Sequence, residues 1–148
     1  MKPAIFPAIR VRQPLGEFYL AAIPAGFLLK VGFTKRHTRR EADESGVVHD
    51  DGHQRRLDVK RLQEIARYLQ TQDAAIPNTI ILAANCLPEG ETMESDDPRR
   101  WSVQPEKGDV VEIAIPTLEP LAAIGDGQHR LYGFEYAPEE LQKIPLAC

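Results

Sequence analysis

What the chain lacks narrows it first. It has two cysteines, Cys86 and Cys148, too few for a disulfide framework and without metal-binding spacing. No apolar run approaches the roughly 20 residues a membrane-spanning helix requires, and residues 1–10 hold no long apolar core of the secretory kind. The expected location is the cytoplasm, with no membrane partner. A positive excess is missing too: 18 Lys and Arg stand against 22 Asp and Glu, for a net charge of −4. A domain that grips duplex DNA by electrostatics alone carries a marked basic excess, so any DNA contact here must come from a local surface. No internal repeat or low-complexity tract interrupts the chain. What remains is 148 residues with 43% hydrophobic and 27% charged side chains, which suits one globular domain with a real core.

Periodicity divides the chain into short elements. Residues 8–13 alternate, with Ile9 and Val11 on one face and Arg10 and Arg12 on the other, as in a half-exposed strand. Pro14-Leu15-Gly16 makes a turn, and residues 18–23 read as the pairing strand of a hairpin. Residues 27–33 are apolar and fit either a short helix or a strand. Residues 34–54 lose all apolar period and read as a long exposed loop. Asp58 is an N-cap for a helix whose apolar stripe is Leu62, Ile65, Ala66 and Leu69. Residues 79–84 form a continuous apolar run and are expected to be a central strand buried on both faces. Residues 88–108, with the sole Trp101, read as a polar loop, and residues 110–115 as a strand. The sum is a small α/β domain of α+β layout, a mixed sheet with flanking helices, spanning residues 1–148.

The densest chemistry lies in Ile124-Gly125-Asp126-Gly127-Gln128-His129-Arg130-Leu131-Tyr132-Gly133-Phe134. Residues 120–124 read as a buried strand, and Leu131 and Phe134 as the inner side of a following helix. The polar cluster therefore sits at a strand-to-helix turn, where helix N–H groups without partners attract anions. Arg130, one turn in, can add a bidentate phosphate contact. A plainer role also fits: Asp126 caps the helix and Gly127 permits a tight turn.

Asp126-Gly127-Gln128-His129-Arg130 resembles the signature of the DGQHR-domain family, which includes DndB-type regulators of DNA phosphorothioation clusters. It also includes ParB-like proteins found beside 7-deazaguanine DNA-modification enzymes. Phe6-Pro7-Ala8-Ile9-Arg10 and Glu17-Phe18-Tyr19-Leu20 are similar to the family's opening strands. Arg55-Arg56, the helix over residues 58–69 and Pro77-Asn78-Thr79-Ile80-Ile81-Leu82-Ala83-Ala84-Asn85 resemble its middle. The resemblance implies a ParB/sulfiredoxin-like fold and a nucleoside triphosphate whose phosphates rest on Gly127, Gln128 and Arg130. Asp126 would be a magnesium ligand, the cap, or both, and His129 would orient a water or act as a general base. Asp126, His129 and Arg130 would thus be catalytic, with Mg2+ bridging the phosphates. The function implied is nucleotide binding with hydrolysis in a bacterial DNA-modification or defence system, beside other proteins of that system. The alternative is a non-enzymatic DNA-binding regulator.

Other residues carry weaker signals. Arg55 and Arg56 are either a solvated helix approach or a second contact to the same anion. Asn85 ends the apolar run where open α/β sheets place ligands, and a turn-capping role fits it equally. Arg36, Arg39 and Arg40 belong to a basic run that could touch a nucleic-acid backbone, although Glu41, Asp43 and Glu44 offset it. His49-Asp50-Asp51-Gly52-His53 offers metal-type side chains, yet Gly52 and the Asp pair argue for a loop without a third ligand. Residues 144–148 resemble the first half of a strand. Family proteins continue past this point, so a shortened member is expected, completed by self-association or a partner protein.

Overall fold

The computed structural model describes residues 2–34 and 57–148. In chain order the elements are β1 (Ala4–Gln13), β2 (Gly16–Pro24), α1 (Ala25–Val31), β3 (Gly32–Phe33) and α2 (Val59–Leu69). They continue with β4 (Ile81–Ala84), β5 (Ser102–Lys107), β6 (Val110–Ile115), β7 (Ala122–Asp126), α3 (Gln128–Tyr132) and β8 (Pro145–Ala147). Two 3-10 turns, Gly133–Tyr136 and Glu139–Lys143, lie between α3 and β8. The readings of Arg36, Arg39, Arg40, Arg55 and Arg56, and of the His49–His53 pair, fall outside the described residues.

The architecture is mixed α+β. An antiparallel sheet runs β5-β6-β1-β2-β8, and a smaller mixed sheet runs β3-β7-β4. The expected hairpin forms, with Ile9 opposite Leu20 and Val11 opposite Phe18. In the small sheet β7 is parallel to β3 and antiparallel to β4. Residues 27–33 divide between α1 and the two residues of β3. Ile23, Leu28, Val31, Ile80, Ile115, Ile124, Leu131, Phe134 and Leu146 form the core between the sheets and helices. Among the described residues no helix is long and apolar enough to cross a membrane.

Helix α2 forms as its sequence dictates. The Asp58 carboxylate accepts the Lys60 N–H at 3.0 Å, and Leu62, Ala66 and Leu69 are buried with Ile65 packed beside them. The helix lies against Gly133, where an added Cβ would collide with the Ile65 side chain.

Three expectations need correction. Strand β4 is not central: it is the edge of its sheet, and Ile81 is 56% exposed. Its apolar run reflects one strand neighbour and a cleft rather than burial on two faces. Residues 102–107 are strand β5 rather than loop; Gln104, Pro105 and Glu106 hide the pattern, and Pro105 is tolerated beside a register shift on an edge strand. Strand β1 turns Phe6, Ala8 and Arg10 inward, while Ile5 and Ile9 face out. Ala8 is opposite buried Val111, and Arg10 reaches Glu17 at 3.6 Å.

Candidate functional site

Strand β7 delivers Gly125 and Asp126 to the surface, and Gly127 then turns the chain into α3 with φ +86° and ψ 14°. That left-handed conformation favours glycine, and space demands it as well. A Cβ at this position would meet Ile80 Cδ1 at 2.7 Å and Arg130 Nη2 at 2.9 Å. The first helical bond runs from the Leu131 N–H to the Gly127 carbonyl at 3.0 Å. The N-cap position of α3 is Gly127 and not Asp126, so the capping role read for Asp126 is corrected. Its carboxylate is 68% exposed and pairs with Arg130 Nη2 at 3.7 Å. Helix α3 has only five residues, so few peptide dipoles line up to attract an anion.

Of the three residues read as catalytic, His129 and Arg130 are engaged within the fold, while Asp126 is exposed. His129 is 8% exposed, and its Nε2 accepts the backbone N–H of Asp58 at 3.2 Å. With Nε2 accepting, the proton of the neutral ring sits on Nδ1. Arg130 Nη2 donates to the Thr79 carbonyl at 3.0 Å, and its buried Nε has no hydrogen-bond partner among the described residues. The signature therefore knits three segments together: the end of β7, the start of α2, and the approach to β4. What it offers to solvent is Asp126 with parts of Gln128 and Arg130.

Asn85 does not join this corner. Ile81 is opposite Asp126 and Ala84 opposite Ala122, so Asn85 lies at the far end of β4, roughly 13 Å along the strand. The expectation assumed parallel strands whose carboxyl ends gather on one side; the antiparallel pairing separates them. Asn85 instead adopts φ 62° and clamps Trp101. Its Oδ1 accepts the Trp101 N–H at 2.7 Å, and its Nδ2 donates to the Trp101 carbonyl at 3.1 Å. This is the turn-capping alternative.

Among the described residues no group of three or more His, Cys, Asp or Glu is placed to hold a metal ion. Asp126 would bring a single carboxylate, which fits a magnesium ion held mainly by a nucleotide's phosphates rather than by the protein. Arg55 and Arg56 lie outside the described residues, but Asp58, two positions further on, is bonded to the signature.

Sequence reasoning missed the partners of the signature. Asp58 was legible as an N-cap, but the acceptor of its own amide lies 71 residues away. It also missed a cleft of about 610 Å3 on the other side of β4, lined by β2, β4, Trp101 and Cys148. Burial there pushes the Cys148 thiol up to about 11.

A family model for DndB, described as DNA-sulfur modification-associated, matches residues 6–146. No curated protein and no solved structure gives a significant match.

Proposed function

Because this chain belongs to the DndB family of DNA-sulfur modification-associated proteins, we propose that it is a non-hydrolytic, regulator-type component of a DNA-sulfur modification system. It meets DNA through local basic residues. The observation that carries this reading is the state of the signature. The His129 Nε2 holds the Asp58 amide and Arg130 holds the Thr79 carbonyl, so the imidazole read as the general base is already engaged in the fold. Helix α2 exposes Lys60, Arg61 and Arg67. Arg36, Arg39, Arg40, Arg55 and Arg56 supply further charge in the preceding sequence.

The test pairs DNA anisotropy over a salt series with a phosphate-release assay containing Mg2+ and ATP, GTP or CTP. The expected result is DNA affinity whose log–log salt slope is about −0.9 per neutralised phosphate, shallower in Arg36→Ala/Arg39→Ala/Arg40→Ala. Phosphate release should not exceed that of Arg130→Ala. Turnover by wild type that vanishes in a folded Arg130→Ala protein overturns the proposal.

A second reading rests on the unpartnered, buried Arg130 Nε and on the exposure of Asp126. A nucleoside triphosphate would set its phosphates on Gly127, Gln128 and Arg130, with Asp126 contributing one ligand to magnesium. The ion would neutralise phosphate charge. Hydrolysis would then require His129 to release Asp58 and orient a water. Calorimetric titration of each nucleotide with magnesium into wild type and Arg130→Ala separates the readings: binding by wild type alone supports the second.

A further inference from the structure

Several cations of this chain are neutralised by their neighbours. Arg10 and Arg12 share Glu17, Arg99 lies between Asp97 and Glu119, and Arg130 pairs with Asp126. Helix α2 differs. Its Lys60, Arg61 and Arg67 are all exposed, and among the described residues none of the three is in an ion pair. Lys60 and Arg67 fall on one outer stripe, about 10 Å apart along the axis, with Arg61 on its flank. The loop after β4 has the opposite character, exposing Glu89, Glu91, Glu94 and Asp96. A polyanion is repelled there and drawn to the α2 face.

The signature holds that face in place. His129 Nε2 accepts the Asp58 N–H at 3.2 Å, and the Asp58 carboxylate accepts the Lys60 N–H at 3.0 Å. Two bonds thus lead from the imidazole to the backbone of the first cation. Further along, Gly133 lies directly beneath the helix, where an added Cβ would meet the Ile65 side chain and stand 3.6 Å from the Leu62 carbonyl. The first-turn N–H groups of any helix lack intrahelical partners, so this end frays most readily. Lys60 and Arg61 belong to that turn, whereas Arg67 lies in the last one. His129 is 8% exposed, so its effect on a bound duplex passes through α2.

We propose that His129 is a positioning residue for DNA: by holding the Asp58 amide it orders the first turn of α2, so that Lys60 and Arg61, together with Arg67, meet the phosphates of a duplex. This rests on the DNA-binding reading above and gives the signature its part in it. Cations on an ordered turn reach the phosphates with a smaller loss of conformational freedom than cations on a frayed one.

The probe is a fluorescent duplex of random sequence, read by anisotropy over a salt series at a temperature where circular dichroism shows each variant folded. At about 0.1 M salt, His129→Ala should bind roughly tenfold more weakly than wild type or worse, with a log–log slope shallower by about 1–2. A smaller folded fraction lowers the amount of competent protein but leaves the slope alone, which separates positioning from stability. His129→Gln, whose Oε1 can accept the Asp58 N–H, should restore both affinity and slope. In a Lys60→Ala/Arg61→Ala background, His129→Ala should weaken binding no further. Equal affinity and slope in folded His129→Ala, or the same loss in both backgrounds, overturns the proposal. If His129→Ala does not fold, amide exchange in wild type replaces it. Bound duplex should slow exchange at Asp58, because linked equilibria are reciprocal, and an unchanged rate there overturns the proposal. Wild type that binds no DNA brings down the functional reading itself. Wild type that binds DNA no better than Lys60→Ala/Arg61→Ala brings down this proposal alone.

Discussion

Nε2 of His129 accepts the backbone N–H of Asp58, fastening the signature to the first turn of α2. The bond is part-buried, with His129 itself inside the fold, and an amide left there without a partner is costly. His129→Ala removes the acceptor and leaves a cavity, so a loss of about 2–4 kcal/mol is expected. At this chain length that lowers Tm by roughly 5–12 °C. Amide exchange at Asp58 should quicken before the core opens. A His129→Ala protein of unchanged stability would return the residue to the catalytic candidates.

Gly127 should be the least replaceable residue of the signature. Gly127→Ala forces a side chain into the left-handed region and a Cβ against Ile80 and Arg130. A cost of about 2–3 kcal/mol is expected, to be read from urea unfolding. Gly125→Ala is the control: the nearest atoms to its Cβ lie at 3.6 Å, an ordinary contact, so its midpoint should stay within roughly 0.5 kcal/mol of wild type.

Arg130 and Asp126 should differ in stability although they form an ion pair. The pair itself is exposed on the Asp126 side and contributes little. Asp126→Asn should therefore be close to neutral. Arg130→Ala also loses the bond to the Thr79 carbonyl, so about 1–2 kcal/mol is expected. Parallel thermal melts check the order. Equal losses would mean that the Thr79 bond adds nothing.

The raised thiol of Cys148 sets a pH dependence at the alkaline end. Burial lifts it to about 11, while the unfolded thiol ionises near its ordinary value of 9.0. The folded state therefore holds a proton that the unfolded state has lost. Its contribution is complete below about pH 9 and disappears as pH rises through 11. Wild type should lose up to about 2 kcal/mol more than Cys148→Ala between those limits, in denaturant titrations at each pH. At neutral pH, Cys148 should alkylate slowly, as peptide mass spectrometry would record.

Local patterns carried much of this fold into the sequence. The β1–β2 turn, the Asp58 cap with its Leu62, Ala66 and Leu69 stripe, and the β7-to-α3 turn are all properties of neighbouring residues. What stayed hidden is long-range. Ile81 and Leu82 look like a two-sided core strand because an apolar cleft and a packed sheet demand similar side chains. Val103 is the one inward apolar residue of a strand whose other positions are polar or Pro, so β5 has no visible period. At the site, the polar cluster was legible as a cluster, but the partners Asp58 and Thr79 are supplied by topology. Asn85 misled for the same reason, since residue type does not tell parallel pairing from antiparallel.

Asn85 yields the last test, because two of its properties pull apart on substitution. Its φ of 62° is strained for a side chain yet tolerated by Asn, while its amide makes both bonds to the Trp101 backbone. Asn85→Gly relieves the strain and loses the bonds; Asn85→Ala keeps the strain and loses the bonds. Stability should therefore fall in the order Asn, Gly, Ala, with Gly costing about 1 kcal/mol and Ala about 2–3 kcal/mol. Asn85→Asp keeps an acceptor for the Trp101 N–H but sets a carboxylate against its carbonyl, so it should fall between wild type and Ala. Trp101 emission should shift in the same order as its backbone loosens. If Gly proves as stable as Asn, the clamp contributes nothing and backbone conformation alone explains this residue.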